Sequence, residues 1–317
     1  MLFRSLRYRF FLGRGVGSDD TEHACMVGQA LLAAPGSPEA FARSLAWRLR
    51  GWLVGLPAGV GWATLRAIVK LWLGFPPGHS GVVSAGNGPA MRAPLLGAWL
   101  AEHPERLEAF VRASSRLTHR DARAEQGALA VALAAAHGAT RGAAGVDAEA
   151  MFALWESRLD APELREALAR MRACWRRGAS LPELVAELGL ERGVTGYVLH
   201  TVPVVLYAWL LHPGDFRRAV EEVILLGGDA DTTGAIVGGI VGATVGEAGI
   251  PPELLQGLAE WPRSVGWIRQ LAARLALPAG TPSPGPQPLF WPALMPRNLA
   301  VLVVVLGHGF RRLLPPY

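Results

Sequence analysis

Two short acidic segments carry the residue types best suited to chemistry. The first is Ser18-Asp19-Asp20-Thr21-Glu22, adjacent carboxylates flanked by hydroxyls at the start of a helix expected over 21–34. The second is Gly227-Gly228-Asp229-Ala230-Asp231-Thr232-Thr233-Gly234, which follows apolar Val223 to Leu226 and runs into AIVGGIVGATVG. A single acid at either place has an ordinary use. Asp, Ser or Thr at a helix N-cap accepts orphan amide hydrogens, and Asp19 with Glu22 three residues later approximates a capping box. Capping does not use a second carboxylate. Two aspartates spaced i, i+2 in apolar sequence are costly to desolvate unless a cation or hydrogen-bond donors pair them. Apart from His23, the donors are oxygens, which suits Mg²⁺, Mn²⁺ or Ca²⁺ and disfavours zinc or copper. If the turns meet in space they can hold two ions roughly 3.5–4 Å apart. Spacing alone leaves that open, and structural capping remains the alternative.

Two further segments are weaker signals. In Ser84-Ala85-Gly86-Asn87-Gly88-Pro89-Ala90-Met91-Arg92 a Gly-rich loop precedes Pro89, where a helix would begin. Exposed amides at such a helix start suit phosphate or pyrophosphate, although Gly-Asn-Gly is also an ordinary turn. Thr118-His119 stands ahead of Arg120 and Asp121 at another helix start. A lone histidine there is more often structural than catalytic.

The elements that must position these residues read as helices. Ala, Leu, Glu and Arg dominate 123–137 and 161–177, and a Pro or Ser opens apolar-periodic runs at 181–188, 252–260 and 264–276. Two-residue alternation is nearly absent, so a sheet protein is excluded, and no 20–50-residue repeat signals a solenoid. Gly234, Gly238, Gly242 and Gly246 lie four apart, a helical face on which another backbone is expected to approach closely. The expectation is an all-α domain over 1–277, a Pro-rich linker over 278–288, and an apolar tail over 289–317 that packs back on the domain or on a partner.

Composition narrows the function classes. The 317 residues are 51% hydrophobic and 18% charged, which excludes a disordered chain. A net charge of +5 and a pI near 9.8 fit an anionic ligand, nucleic acid or lipid headgroups without choosing among them. Cys25 and Cys174 have no metal spacing and are too few for a disulfide framework, so a reducing, cytoplasmic setting is expected. The opening MLFRSLRYRFFL lacks a signal-peptide pattern. Residues 51–75 are interrupted by Arg66 and Lys70, and the apolar run 299–306 is shorter than the ~20 residues a bilayer needs, so no transmembrane segment is expected.

The motifs SDDTEHA, SAGNGPAMR, TH and GGDADTTGAIVGGIVGA, with Val194, Gly196, Thr201, Val202 and Pro203 ahead of the last, occur in this order and together resemble the ADP-ribosylglycohydrolase family over about residues 15–276. The resemblance implies an orthogonal all-α bundle holding two Mg²⁺ or Mn²⁺ ions. It also implies cleavage of the glycosidic bond between ADP-ribose and an arginine, serine or related acceptor. It assigns Ser18, Asp19, Asp20, Asp229, Asp231 and Thr232 as metal ligands, with Asp19 or Asp20 positioning or deprotonating the attacking water. Ser84, Gly86, Asn87, Gly88 and Met91 would line the ADP-ribose pocket, with His119 against its phosphates or ribose. Ala85 stands where relatives carry an aromatic residue. The relatives' upstream helix with a Gly-Asp-Ala pattern and a following glutamate has no match in residues 1–17, which makes a non-catalytic ADP-ribose or nucleotide binder the second reading. A third is a membrane-associated interaction protein, with weak surface contact through the tail. The expected partner is an ADP-ribosylated protein or other conjugate, with no specific nucleic acid.

Overall fold

The computed structural model describes residues 13–278 and 281–311; the opening dozen residues and the closing Arg312 to Tyr317 lie outside them. The chain enters through α1 (Asp19–Ala33), α2 (Pro38–Val54), α3 (Trp62–Trp72) and the single turn α4 (Pro77–Ser80). The central elements are α5 (Gly88–Trp99), α6 (Pro104–Arg116), α7 (Ala122–Arg141), α8 (Ala148–Arg158), α9 (Pro162–Arg176) and α10 (Leu181–Glu187). Then follow α11 (Val198–Leu211), α12 (Phe216–Leu225), α13 (Ala230–Val245), α14 (Pro252–Gln256), α15 (Val265–Leu275) and α16 (Leu294–Arg311). The described residues form no sheet, only isolated bridges between loops. The all-α expectation is met.

The core is built around α7, on which α5, α11 and α13 pack. Its run Ala124 to Ala135 is small and apolar, and buried Val131, Ala132 and Ala134 let neighbouring helices come close. The tightest approach is at Gly97 of α5, where a Cβ would sit 2.2 Å from the Ala132 carbonyl oxygen on α7. Backbone cannot retreat as a side chain can, so Gly97→Val is expected to cost about 3 kcal/mol or more, read as a lowered urea midpoint.

Three expectations need correction. The glycine stripe on α13 does not meet a backbone: Gly234, Gly238 and Gly242 face side chains of α12, chiefly Ile224 and Phe216, at 3.4–3.9 Å. The close contact falls off the stripe, at Gly239 against Pro94 of α5, while Gly246 ends the helix at φ +67°. The helix read at 252–260 stops at Gln256, because Gly15 and Leu258 pair in a bridge through Gly15 N–H to Gly257 O and Ala259 N–H to Gly15 O. The Pro-rich stretch is also docked rather than free. Gln29 of α1 and Gln287 exchange two hydrogen bonds of 2.7 Å, and the Ser283 hydroxyl donates to Leu32 O.

The tail packs back on the helices at its beginning. Asn298 donates to Gly55 O at the end of α2, and Arg297 reaches the loop ahead of α1. Farther along α16 the apolar side chains Val303, Leu306 and Phe310 are exposed. No helix among the described residues is long and apolar enough to cross a membrane.

Candidate active site

The two acidic turns meet. Asp19, Asp20 and Asp231 each place a carboxylate oxygen within 4.8 Å of the others, and Asp229 and Thr232 sit against the same group. Both turns open helices, yet neither uses its acids for capping. Ser18 and Asp229 are the N-cap residues of α1 and α13, and neither side chain bonds a helix amide, whereas Ser37, Asp121, Asp147, Asp215 and Ser264 each cap their helices. The Ser18 hydroxyl instead donates to Asp20 Oδ2 at 2.8 Å. Asp20 is 2% exposed and its Oδ1 has no partner among the described residues, an unsatisfied buried carboxylate oxygen that a cation would satisfy. The donor set is oxygen alone and the two helix starts converge, so Ser18, Asp19, Asp20, Asp229, Asp231 and Thr232 could hold hard divalent cations.

The electrostatics agree. Burial first, and then Asp20 and Asp231, push the Asp19 carboxyl up to about 7. Burial, partly offset by the Ser18 hydroxyl, raises Asp20 to about 6. Asp229 is raised too, by burial and then by Asp231. Without a cation, the native cluster keeps protons that the unfolded chain loses above its ordinary carboxylate range, so these acids lower stability as pH rises from about 4 to 7. Asp19→Asn removes that penalty. In chelator, the Tm of the variant is expected to gain on that of the parent across this window, and parallel Tm curves would contradict the cluster's electrostatics.

The first turn is held from the C-terminal side. The Gly17 amide donates to Glu260 Oε2 at 2.9 Å, and the Gly17 carbonyl accepts from Arg297 Nη2 at 2.7 Å. Arg297 also pairs with Glu260 at 2.7 Å and with Glu22 at 3.2 Å. Glu22 is no capping-box residue. It is buried one turn into α1 and accepts from Trp52 Nε1 and from Arg263 at 2.7 Å. Sequence reasoning missed this clamp, because its members lie some 240–280 positions from the turn they hold.

Three loops are stitched to the second turn by bridges. Val82 pairs with His119, Gly86 with Tyr197, and Val194 with Gly228. At the last, Asp229 N–H donates to Val194 O at 2.7 Å, and a Cβ on Gly228 would lie 2.1 Å from that same oxygen. Only glycine, at φ +82°, lets the acidic turn close on the 194–196 loop. The Asn87 amide donates to Gly196 O, so it is spent within the protein, leaving Gly86 and Gly88 as the loop amides that could face an anion. The Asn87 side chain donates to Thr201 Oγ1 at 2.8 Å and to Asp229 Oδ2 at 3.2 Å, orienting that carboxylate.

Gly86 and Gly88 also make room for His119, whose ring atoms would come within 3.1 and 2.7 Å of a Cβ at these positions. His119 is 3% exposed, and burial with nearby Arg92 pushes its pKa down to about 3, so the ring is neutral. Thr118 Oγ1 accepts from Arg92 Nη2 at 2.8 Å and lies 2.9 Å from His119 Nδ1. The buried hydroxyl hydrogen has no other acceptor, so it goes to Nδ1 and the ring proton is assigned to Nε2.

These parts surround one cleft of about 510 Å³. Asp19, Asp229, Asp231, Thr232, Ser84, Gly86, Asn87, Gly88, Met91 and His119 all line it. Of the sequence-nominated residues, Ser18 and Asp20 lie behind the wall. Sequence reasoning missed the α3 side of the cleft, where Trp62, Thr64 and Arg66 stand. Trp62 is 71% exposed, an aromatic face on a cleft whose Ala85 supplies none.

A fold of this type with two converging acidic helix starts defines a class, and comparison with known proteins names it. The model of the ADP-ribosylglycohydrolase family matches residues 3–284. An uncharacterised protein of Archaeoglobus fulgidus is 29% identical over 259 residues, covering 78% of this chain and 77% of its own. The ADP-ribosyl-[dinitrogen reductase] glycohydrolase of Rhodospirillum rubrum is 27% identical over 244 residues, covering 74% and 70%. A solved ADP-ribosylglycohydrolase-related protein complex superposes with a TM-score of 0.58 at 26% identity, over 89% of this chain and 81% of that one. The chain belongs to the ADP-ribosylglycohydrolase family. That membership supports a glycohydrolase and implies ADP-ribosylated substrates.

Proposed function

We propose that the chain is a hydrolase dependent on two divalent cations, Mg²⁺ or Mn²⁺, that removes ADP-ribose from a modified protein side chain or a related conjugate. The observation that carries this reading is the meeting of two helix starts whose acids cap nothing and leave a buried Asp20 oxygen without a partner. Ser18, Asp19, Asp20, Asp229, Asp231 and Thr232 would hold the ions, which supply charge stabilisation and an acidified water.

The chain's own groups divide the remaining work. Asp19 lines the cleft and is the carboxylate placed to take a proton from water, whereas buried Asp20, fixed by Ser18, is a ligand and not the base. Asn87 keeps Asp229 oriented. The Gly86 and Gly88 amides and the His119 Nε2–H are the neutral donors available to the diphosphate or ribose, and Trp62 offers its indole for stacking on the adenine. Binding energy gathered so far from the broken bond is available to orient it.

The test is release of ADP-ribose from ADP-ribosyl-arginine and ADP-ribosyl-serine peptides by the purified full chain. Release with Mn²⁺ or Mg²⁺ that stops in chelator is expected. Calorimetric binding of ADP-ribose with no turnover of either substrate would overturn the catalytic part and leave the binder. Neither binding nor turnover would overturn both.

A further inference from the structure

A second cleft of about 540 Å³, sharing no lining residue with the acidic one, lies on another side of α1. Its walls are Cys25, Met26 and Gln29 of α1, Trp47, Arg48 and Trp52 of α2, and Arg263 and Trp267 at the start of α15. Residues 286–291 close it, with Pro286, Pro288 and Trp291 on the lining. Most of that closing segment lies beyond the 3–284 stretch matched by the family model, so this cleft is built by what the chain adds to the common domain.

Its tryptophans are set in place. Trp267 Nε1 donates to Pro288 O at 2.7 Å, Trp52 Nε1 donates to Glu22, and the Trp291 ring edge lies over Gly51, 2.9 Å from where a Cβ would be. Trp47 and Trp291 remain 67% and 52% exposed, unfilled aromatic faces beside the opening.

Among these rings stand cationic donors with capacity to spare. Arg48 Nη1 is bound to Ser44, and among the described residues no carboxylate lies at ion-pair distance from it. Burial without that counter-charge lowers its pKa. Arg263 is 4% exposed and engages only Nη1, with Glu22. Gln287 is 7% exposed, and its buried Oε1 has no donor, although its amide nitrogen donates to Gln270. Tryptophan faces suit a planar ring, free guanidinium donors suit a carboxylate, and an orphan amide oxygen suits a hydroxyl or N–H.

We propose that this second cleft binds a small aromatic acid carrying a ring hydroxyl or N–H, with the ring among the tryptophans, the carboxylate on Arg48, and the donor toward Gln287. The cleft volume lies in the range of small-molecule sites.

Calorimetric titration of the full chain with 6-hydroxy-2-naphthoate, and with 6-hydroxy-2-naphthamide as its uncharged counterpart, tests the assignment. Saturable one-to-one binding is expected, with the acid about tenfold tighter than the amide. Arg48→Gln should erase that preference and Trp291→Ala should weaken both ligands, each with unchanged far-UV circular dichroism. Both side chains are partly exposed, so neither change is expected to unfold the chain. Absence of saturable binding, equal affinity for acid and amide, or an Arg48→Gln variant that still prefers the acid would each overturn the assignment.

Discussion

Asp229→Ala and Asp19→Ala are each expected to lower ADP-ribose release by about a thousandfold or more, while far-UV circular dichroism stays that of the parent. The factor corresponds to roughly 4 kcal/mol of lost transition-state stabilisation, the scale on which a bound cation acts. Folding should survive because neither side chain caps its helix, and because removing one carboxylate from a mutually repelling, partly buried cluster relieves a cost. Asp229→Ala also frees the Asn87 amide that points at it. Variants that lose activity only by unfolding together would show that the turns are structural.

Arg297→Ala carries the second large effect. Arg297 is the one side chain that joins the Gly17 carbonyl, Glu22 and Glu260, and its partners are nearly sealed from water, at 4% and 6% side-chain exposure. Removing it leaves Glu260 with the Gly17 amide as its remaining hydrogen bond among the described residues. Breaking one partner out of a buried ion-pair network costs about 3–5 kcal/mol, read in urea unfolding. Ser18 and Asp19 follow Gly17 directly, so Mn²⁺ affinity should also drop, by about tenfold. Arg297→Lys should recover only part of both, since an ammonium cannot serve this spread of acceptors as a guanidinium does. Unchanged stability and Mn²⁺ affinity in Arg297→Ala would show that the tail does not support the site.

The sequence revealed the parts of the site whose chemistry is local. Paired acids in SDDTE and GGDADTT are legible because capping leaves the second carboxylate unexplained, and Gly86 and Gly88 because glycine marks a close approach. The helices at 123–137 and 161–177 are legible from composition for the same local reason. What depended on distant partners was not legible. Nothing near Ser18 announces Glu260 or Arg297, and nothing in PAGTPSPGPQP announces that Gln287 pairs with Gln29. The α13 glycine stripe misled because spacing cannot tell whether a smooth face will meet a backbone or bulky side chains; here it met Ile224 and Phe216. His119 was named from Thr-His, but its neutrality and tautomer follow from buried Arg92 behind Thr118, which no local pattern shows.

Anomalous diffraction from crystals of the full chain soaked in Mn²⁺ tests the central claim most directly. Two peaks are expected between the Asp19–Asp20 and Asp229–Asp231 turns, both absent in crystals of Asp229→Ala. Crystals that show no peak there at saturating Mn²⁺, or that hold the two turns too far apart to share an ion, would contradict it.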